Sequence, residues 1–205
     1  LWTAYLMAKR GYDVEVEETN YPGFGASSKA AGILSFQVPK DMIKYSLRSM
    51  NLYNSLGDDI LYWHDSSWIP KEDEFDCALE ISEILNKNGL RRKIVYNEEF
   101  DGLKVERGII IPQAKIDIGK ALNKLTKKIV DLGGKINNST NHNKNYDLII
   151  YTNGPWITNS LNLKGLIEYK CQAHSVEGKQ INYIIEDDIY EIYYVPESFR
   201  RAIIG

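Results

Sequence analysis

Leu1-Trp2-Thr3-Ala4-Tyr5-Leu6-Met7-Ala8-Lys9-Arg10-Gly11-Tyr12-Asp13-Val14-Glu15-Val16-Glu17-Glu18 opens the chain, and the reading of this segment decides the fold. Leu1, Ala4, Tyr5, Leu6 and Met7 recur at helical spacing. Lys9 and Arg10 bring cations to the last turn, where they suit the helix dipole, and Gly11 follows in the position that ends a helix. Val14 and Val16 then alternate with acids, which predicts a short strand ending near Glu18, before Asn20, Pro22, Gly23 and Gly25 break the pattern. Helix, glycine turn and strand in this order form the second half of a βαβ unit, so an α/β fold with a parallel sheet is expected. The chain starts at Leu1 inside an apolar pattern with no cap before it, and so reads as a piece of a longer protein.

Beyond Glu18 the pattern predicts a helix over 41–56, capped by Asp41 and stopped by Gly57, and strand-like residues around Trp63, Trp68 and Ile69. A helix through Leu79, Ile81, Ile84 and Leu85 stops at Gly89, and strands follow near 92–96 and 108–111. Asp117 caps the clearest helix, with Leu122, Leu125, Ile129 and Leu132 on one face and Gly133-Gly134 at its end. The polar run 137–145 reads as a loop, and Asp147-Leu148-Ile149-Ile150-Tyr151 as a fully buried strand beside Val14 and Val16. From Gly165 onward four β-rich runs, at 169–176, 181–185, 190–195 and 201–204, predict an antiparallel sheet.

At 205 residues, 43% hydrophobic and 26% charged, the chain is long enough for one sizeable core or two small ones, which excludes disordered and collagen-like classes. No run approaches the roughly 18 to 20 apolar residues of a spanning helix, and no secretory leader is legible. A soluble, cytoplasmic protein is expected on that basis, with the sequons in Asn137-Asn138-Ser139-Thr140 unused. Lys and Arg number 25 against 28 Asp and Glu, so no basic excess calls for nucleic acid or an anionic membrane, and a small-molecule partner is expected. Cys77 and Cys171 are too few for a disulfide framework. Cys77 reads as a small core residue, and the spacing of Cys171 and His174 lacks a second ligand pair, so no metal site is expected.

Glu18 is the first candidate for chemistry: an acid at the end of the second strand of a dinucleotide-binding unit can accept hydrogen bonds from ribose hydroxyls. A solvated strand-end acid is the plainer reading. Gly23-Phe24-Gly25 with Gly32 is not a dinucleotide fingerprint, because no apolar strand precedes it and no helix opens after it. Trp156 reads as a core anchor. Strand alternation puts Tyr190, Ile192 and Tyr194 on one face and Glu191, Tyr193 and Val195 on the other, so Tyr193 and Tyr194 cannot both reach one pocket.

Several segments together carry a resemblance. The opening helix and strand, Gly25-Ala26-Ser27-Ser28-Lys29-Ala30-Ala31-Gly32-Ile33, Gly108-Ile109-Ile110-Ile111-Pro112 and Ile116-Asp117 come first. Asp147-Leu148-Ile149-Ile150-Tyr151-Thr152-Asn153-Gly154-Pro155-Trp156, Tyr193-Tyr194-Val195-Pro196 and Ala202-Ile203-Ile204-Gly205 follow in the same order. In that order they resemble the FAD-dependent amine and amino-acid oxidoreductases, the family of glycine oxidase, sarcosine oxidase and D-amino-acid oxidase. The resemblance implies a Rossmann-like FAD/NAD(P)-binding α/β domain, residues 1–50 and 112–164, interleaved with an α+β substrate domain on an antiparallel sheet, residues 51–111 and 165–205. It implies that FAD is held by Glu18, Ser27, Ser28, Lys29, Ala31, Gly32, Ile33 and Gly154, and that Tyr193 contacts a small amine or amino-acid substrate. The activity implied is hydride transfer from substrate to flavin, with no side-chain base named.

The chain departs from the family in lacking the first strand with its glycine turn and everything after Gly205. Ile118 stands where a proline is frequent, and Tyr169-Lys170-Cys171-Gln172 lacks an Arg-Gly pair. The alternative is a cofactor-free relative of this shape that acts as a binding or assembly subunit. An oligomer or a partner subunit fits either reading.

Overall fold

The computed structural model describes residues 1–100, 103–138, 145–161, 165, 171–178, 181–198 and 200–205. The chain runs α1 (Trp2–Ala8), β1 (Glu15–Glu17), β2 (Ile33–Leu34), α2 (Ile43–Asn54), β3 (Leu61–Ile69), α3 (Phe75–Lys87), β4 (Lys93–Phe100) and β5 (Leu103–Ile116). It continues through α4 (Ile118–Asp131), β6 (Lys135–Asn137), α5 (Ile157–Leu161), β7 (His174–Glu177), β8 (Ile184–Asp187), β9 (Ile192–Ser198) and β10 (Arg201–Ile204). The chain divides into two compact units, Leu1–Ala30 with Ile118–Cys171, and Ala31–Asp117 with Gln172–Gly205. Residues 31–50 and 112–117 thus fall in the second unit, because β2 pairs with the end of β5, Ile33 against Lys115 and Leu34 against Ala114.

In the first unit Gly11, at φ +87°, turns the chain from α1 into β1. β1 pairs in parallel with β6, Val16 opposite Ile136. The connection from α4 into β6 is tight. Gly134 is buried, and a Cβ there would come within 2.7 Å of the Ile129 side chain and 3.0 Å of its carbonyl. α4 buries Ala121, Leu125 and Ile129, each four residues from the last, against α1 and β6. Leu132 lies past the helix end and is exposed, so the stripe is narrower than its leucines suggest.

The run 147–151 corrects the expected buried strand. It has no strand assignment and its apolar side chains are exposed, Leu148 at 66% and Ile149 at 56%. A strand needs a hydrogen-bonding neighbour, and among the described residues this run has none; β1 has taken β6 instead.

In the second unit the described residues form an eight-stranded sheet, ordered β2-β5-β3-β8-β9-β10-β7, with β4 on β5. Its pairings are antiparallel except for the parallel junction of β3 with β8, so the expected antiparallel sheet is mixed at one place. β4 and β5 pair over a longer stretch than the two short strands expected, because Glu98 opposite Val105 and Glu99 opposite Lys104 continue the ladder. α3 buries Phe75, Ala78, Ile81 and Leu85 against Trp68, Ile109 and Ile111, making the main core of this unit with Phe36 and Ile43. Cys77 lies off that stripe and is exposed, not a core residue. Asp41 forms no side-chain cap; it sits in the 3-10 turn Lys40–Met42 that leads into α2.

Tyr190 is not in a strand. The Asp187 carboxylate accepts the N–H groups of Ile189 at 2.9 Å and Tyr190 at 3.1 Å, which folds an exposed turn ahead of β9. The remaining alternation holds, with Ile192 and Tyr194 on one face and Tyr193 and Val195 on the other.

Candidate functional site

Glu18 follows β1 directly, its N–H donating to the Asn137 carbonyl at 2.9 Å. Its half-buried carboxylate accepts from the Asn20 N–H at 3.1 Å and the Thr19 hydroxyl at 3.5 Å. Ser27, Ser28 and Lys29 are exposed in the 3-10 turn Ala26–Lys29. The Ser28 hydroxyl is engaged with the carbonyls of Phe24 and Gly25, and its N–H with that of Gly23, so the turn is held from within. Gly154 opens the turn ahead of α5 at φ +60°, where a Cβ would meet nothing within 4 Å. Trp156 beside it is 55% exposed, which corrects its reading as a core anchor; its ring edge lies over Gly25. These five site residues, Glu18, Ser27, Ser28, Lys29 and Gly154, belong to the first unit.

Ala31, Gly32, Ile33 and Tyr193 belong to the second. Gly32 is buried at φ +78°, its carbonyl accepts the Ile116 N–H at 2.7 Å, and a Cβ would sit 2.5 Å from the Ile116 carbonyl oxygen. The fold of this unit therefore requires a glycine at 32 whatever else approaches it.

Tyr193 stands in a row that crosses adjacent strands: Trp68 on β3 opposite Glu186 on β8, and Glu186 opposite Tyr193 on β9. Backbone hydrogen bonds carry the row on to Gly205, where a Cβ would overlap the phenol of Tyr193. Between this row and α3 lies a cleft of about 600 Å³, lined by Gln37, Cys77, Ala78 and Ile81 besides the row itself. Tyr194 points to the other face, its hydroxyl accepting the Ile181 N–H at 3.4 Å.

Glu186 escaped the sequence reading, though its place two residues after the core residue Ile184, on the same face of β8, was the available signal. It is 7% exposed. Burial raises its carboxyl to about 7 and the nearby Asp188 charge adds to this, while the Ser35 hydroxyl and the neighbouring Gln113 amide pull in the opposite direction. The Ser35 hydroxyl donates to Oε2 at 3.3 Å, and itself accepts the Gln37 N–H at 3.0 Å. Oε1 has no partner among the described residues, and Gln113, close as it is, closes no hydrogen bond with either polar atom. The Trp68 indole N–H donates to Asp188 at 2.7 Å, and Lys71 pairs with Glu191 at 3.1 Å. Lys115, its amine lowered by burial, donates to the Pro196 carbonyl at 3.0 Å.

Among the described residues no helix is long and apolar enough to cross a membrane. A family model described as FAD dependent oxidoreductase matches residues 1–205. No curated protein matches the chain in sequence. Among solved structures, L-proline dehydrogenase from P. horikoshii is similar at TM-score 0.70 and 18% identity, over 98% of this chain and 65% of that one. Iminodiacetate oxidase from Chelativorans sp. BNC1 gives 0.69 and 16%, over 98% and 67%. Glycine oxidase from Geobacillus kaustophilus gives 0.65 and 17%, over 98% and 66%, so the chain spans about two thirds of the length of these structures.

Proposed function

The chain belongs to the FAD dependent oxidoreductase family, and from that premise we propose that the protein oxidises a small amine or amino acid by hydride transfer to the flavin. The observation that carries the reading is the family match over the whole of residues 1–205. In this reading the first unit is the FAD-binding part and the second the substrate-binding part.

The donor chemistry of the first unit fits the cofactor. The Glu18 carboxylate suits ribose hydroxyls, the exposed Ser27-Ser28-Lys29 turn suits phosphate oxygens, and the open space over Gly154 leaves room for a close approach. Ala31, Gly32 and Ile33 would lie along the ring. Bound FAD supplies the two-electron acceptor for the hydride of the carbon–hydrogen bond next to the substrate nitrogen. The protein orients that bond and excludes water. Tyr193, on the cleft wall, would hydrogen-bond the substrate through its phenol, while Trp68 and Ile81 keep the floor apolar.

Titration of the full-length apoprotein with FAD tests the reading. A yellow complex absorbing near about 450 nm is expected, and Glu18→Ala should weaken FAD roughly 5- to 150-fold without loss of fold. Failure of the unsubstituted protein to take up FAD would favour the cofactor-free subunit instead.

A further inference from the structure

The cleft beneath α3 carries an uneven charge. Glu74, Glu186, Asp187, Asp188 and Glu191 line it against a single cation among its lining residues, Lys71, which is already paired with Glu191. Asp187 is occupied by its own turn and Asp188 by the Trp68 indole. Glu186 differs from both: its side chain is more than nine-tenths buried, it lines the cleft, and Oε1 has no partner among the described residues. A buried carboxylate oxygen without a hydrogen bond is costly, and a donor arriving from the cleft removes that cost. Trp68 and Tyr193 flank it on the neighbouring strands, and aromatic faces favour a cation over an anion. A volume of about 600 Å³ is ordinary for a small-molecule site.

We infer that this cleft takes a substrate that presents an ammonium group without an adjacent carboxylate, a mono- or diamine in preference to a zwitterionic α-amino acid, and that Glu186 receives the ammonium. The inference rests on the reading that the second unit holds the substrate, and it narrows the substrate class of that site. An α-amino carboxylate would bring its negative charge among the acids of the cleft, where like charges repel and the local dielectric is low. A diamine brings only donors.

Isothermal titration calorimetry on the full-length, FAD-loaded protein with its flavin already reduced and oxygen excluded, at about pH 8, with 1,4-diaminobutane and with glycine as probes, decides the matter without any turnover. The diamine is expected to bind at least roughly 10-fold more tightly than glycine, and Glu186→Gln to weaken the diamine by roughly 10-fold or more. Glu74→Gln, at an exposed position on the cleft, should cost only roughly 2-fold. Glycine binding as tightly as the diamine overturns the inference, as does an unchanged diamine affinity in a folded Glu186→Gln protein. The comparison of the two probes on the unsubstituted protein stands even if a variant fails to fold. The flavin band of the same sample, recorded before reduction and before any amine is added, reports separately on the oxidoreductase reading: a protein that acquires no band when supplied with FAD would sink that reading while the calorimetry still reads the cleft.

Discussion

Burial holds the Glu186 carboxyl at about 7 against an ordinary 4.5, and that difference ties stability to pH. The folded state keeps a proton that the unfolded chain releases, so its contribution is fully present below about pH 4.5 and is lost as pH rises through about 7. The loss amounts to about 3 kcal/mol across that window. Glu186→Gln is isosteric and carries no charge, so it should flatten the profile and make the protein more stable than the parent above pH 7. Denaturant unfolding of both proteins at about pH 5 and about pH 8 checks this; parallel profiles would mean the carboxyl is not the responsible group. Tyr193 raises a different question at the same scale, because it is half-buried and its phenol packs on the Gly205 backbone. As a substrate contact, Tyr193→Phe should raise KM or lower kcat with an unchanged melting temperature. As a packing residue alone, Tyr193→Phe would be silent in turnover and Tyr193→Ala would cost about 3 to 5 kcal/mol.

The pairing of β4 and β5, with β2 laid along the end of β5, organises the second unit, and Gly32 is where the chain enters that arrangement. Gly32→Ala combines a strained positive φ with a Cβ pressed 2.5 Å from the Ile116 carbonyl. A loss of about 2 to 4 kcal/mol is expected, read as a lower denaturation midpoint with the slope unchanged. A near-neutral Gly32→Ala would show that the β2–β5 contact yields easily. Elements built on local signals were legible in advance: α1 ends before Gly11, α3 before Gly89 and α4 before Gly133, each of these glycines at positive φ. Those that depend on a distant partner were not. The run 147–151 has the composition of a buried strand and no neighbour, while β6, only Lys135–Asn137, is too short and polar to announce itself and becomes a strand through Val16. Tyr190 fails as a strand residue because the Asp187 side chain captures its N–H.

At the scale of the whole molecule, FAD should act as a stabilising ligand. A cofactor that binds only the folded protein adds about 2.7 kcal/mol at 100 times its Kd, so the melting temperature should climb with FAD concentration and level with none added. A melting temperature indifferent to FAD would remove the cofactor from the folded state. The helices α1, α3 and α4 were readable from the residues, since helix stops and hydrophobic spacing are local and survive in one dimension.

The sequence by itself determined most of the helices of an α/β chain, because hydrophobic period and glycine position act within a few residues, and its ordered segments carried the resemblance to the FAD-dependent oxidoreductase family to which it belongs. Only the tertiary structure decided that β1 pairs with β6, that Cys77 and Trp156 are exposed, and that Glu186 is buried beside Trp68 and Tyr193. Glu186 lies 118 residues from Trp68 along the chain, and its charge state depends on the water those partners exclude, a property that no local pattern contains.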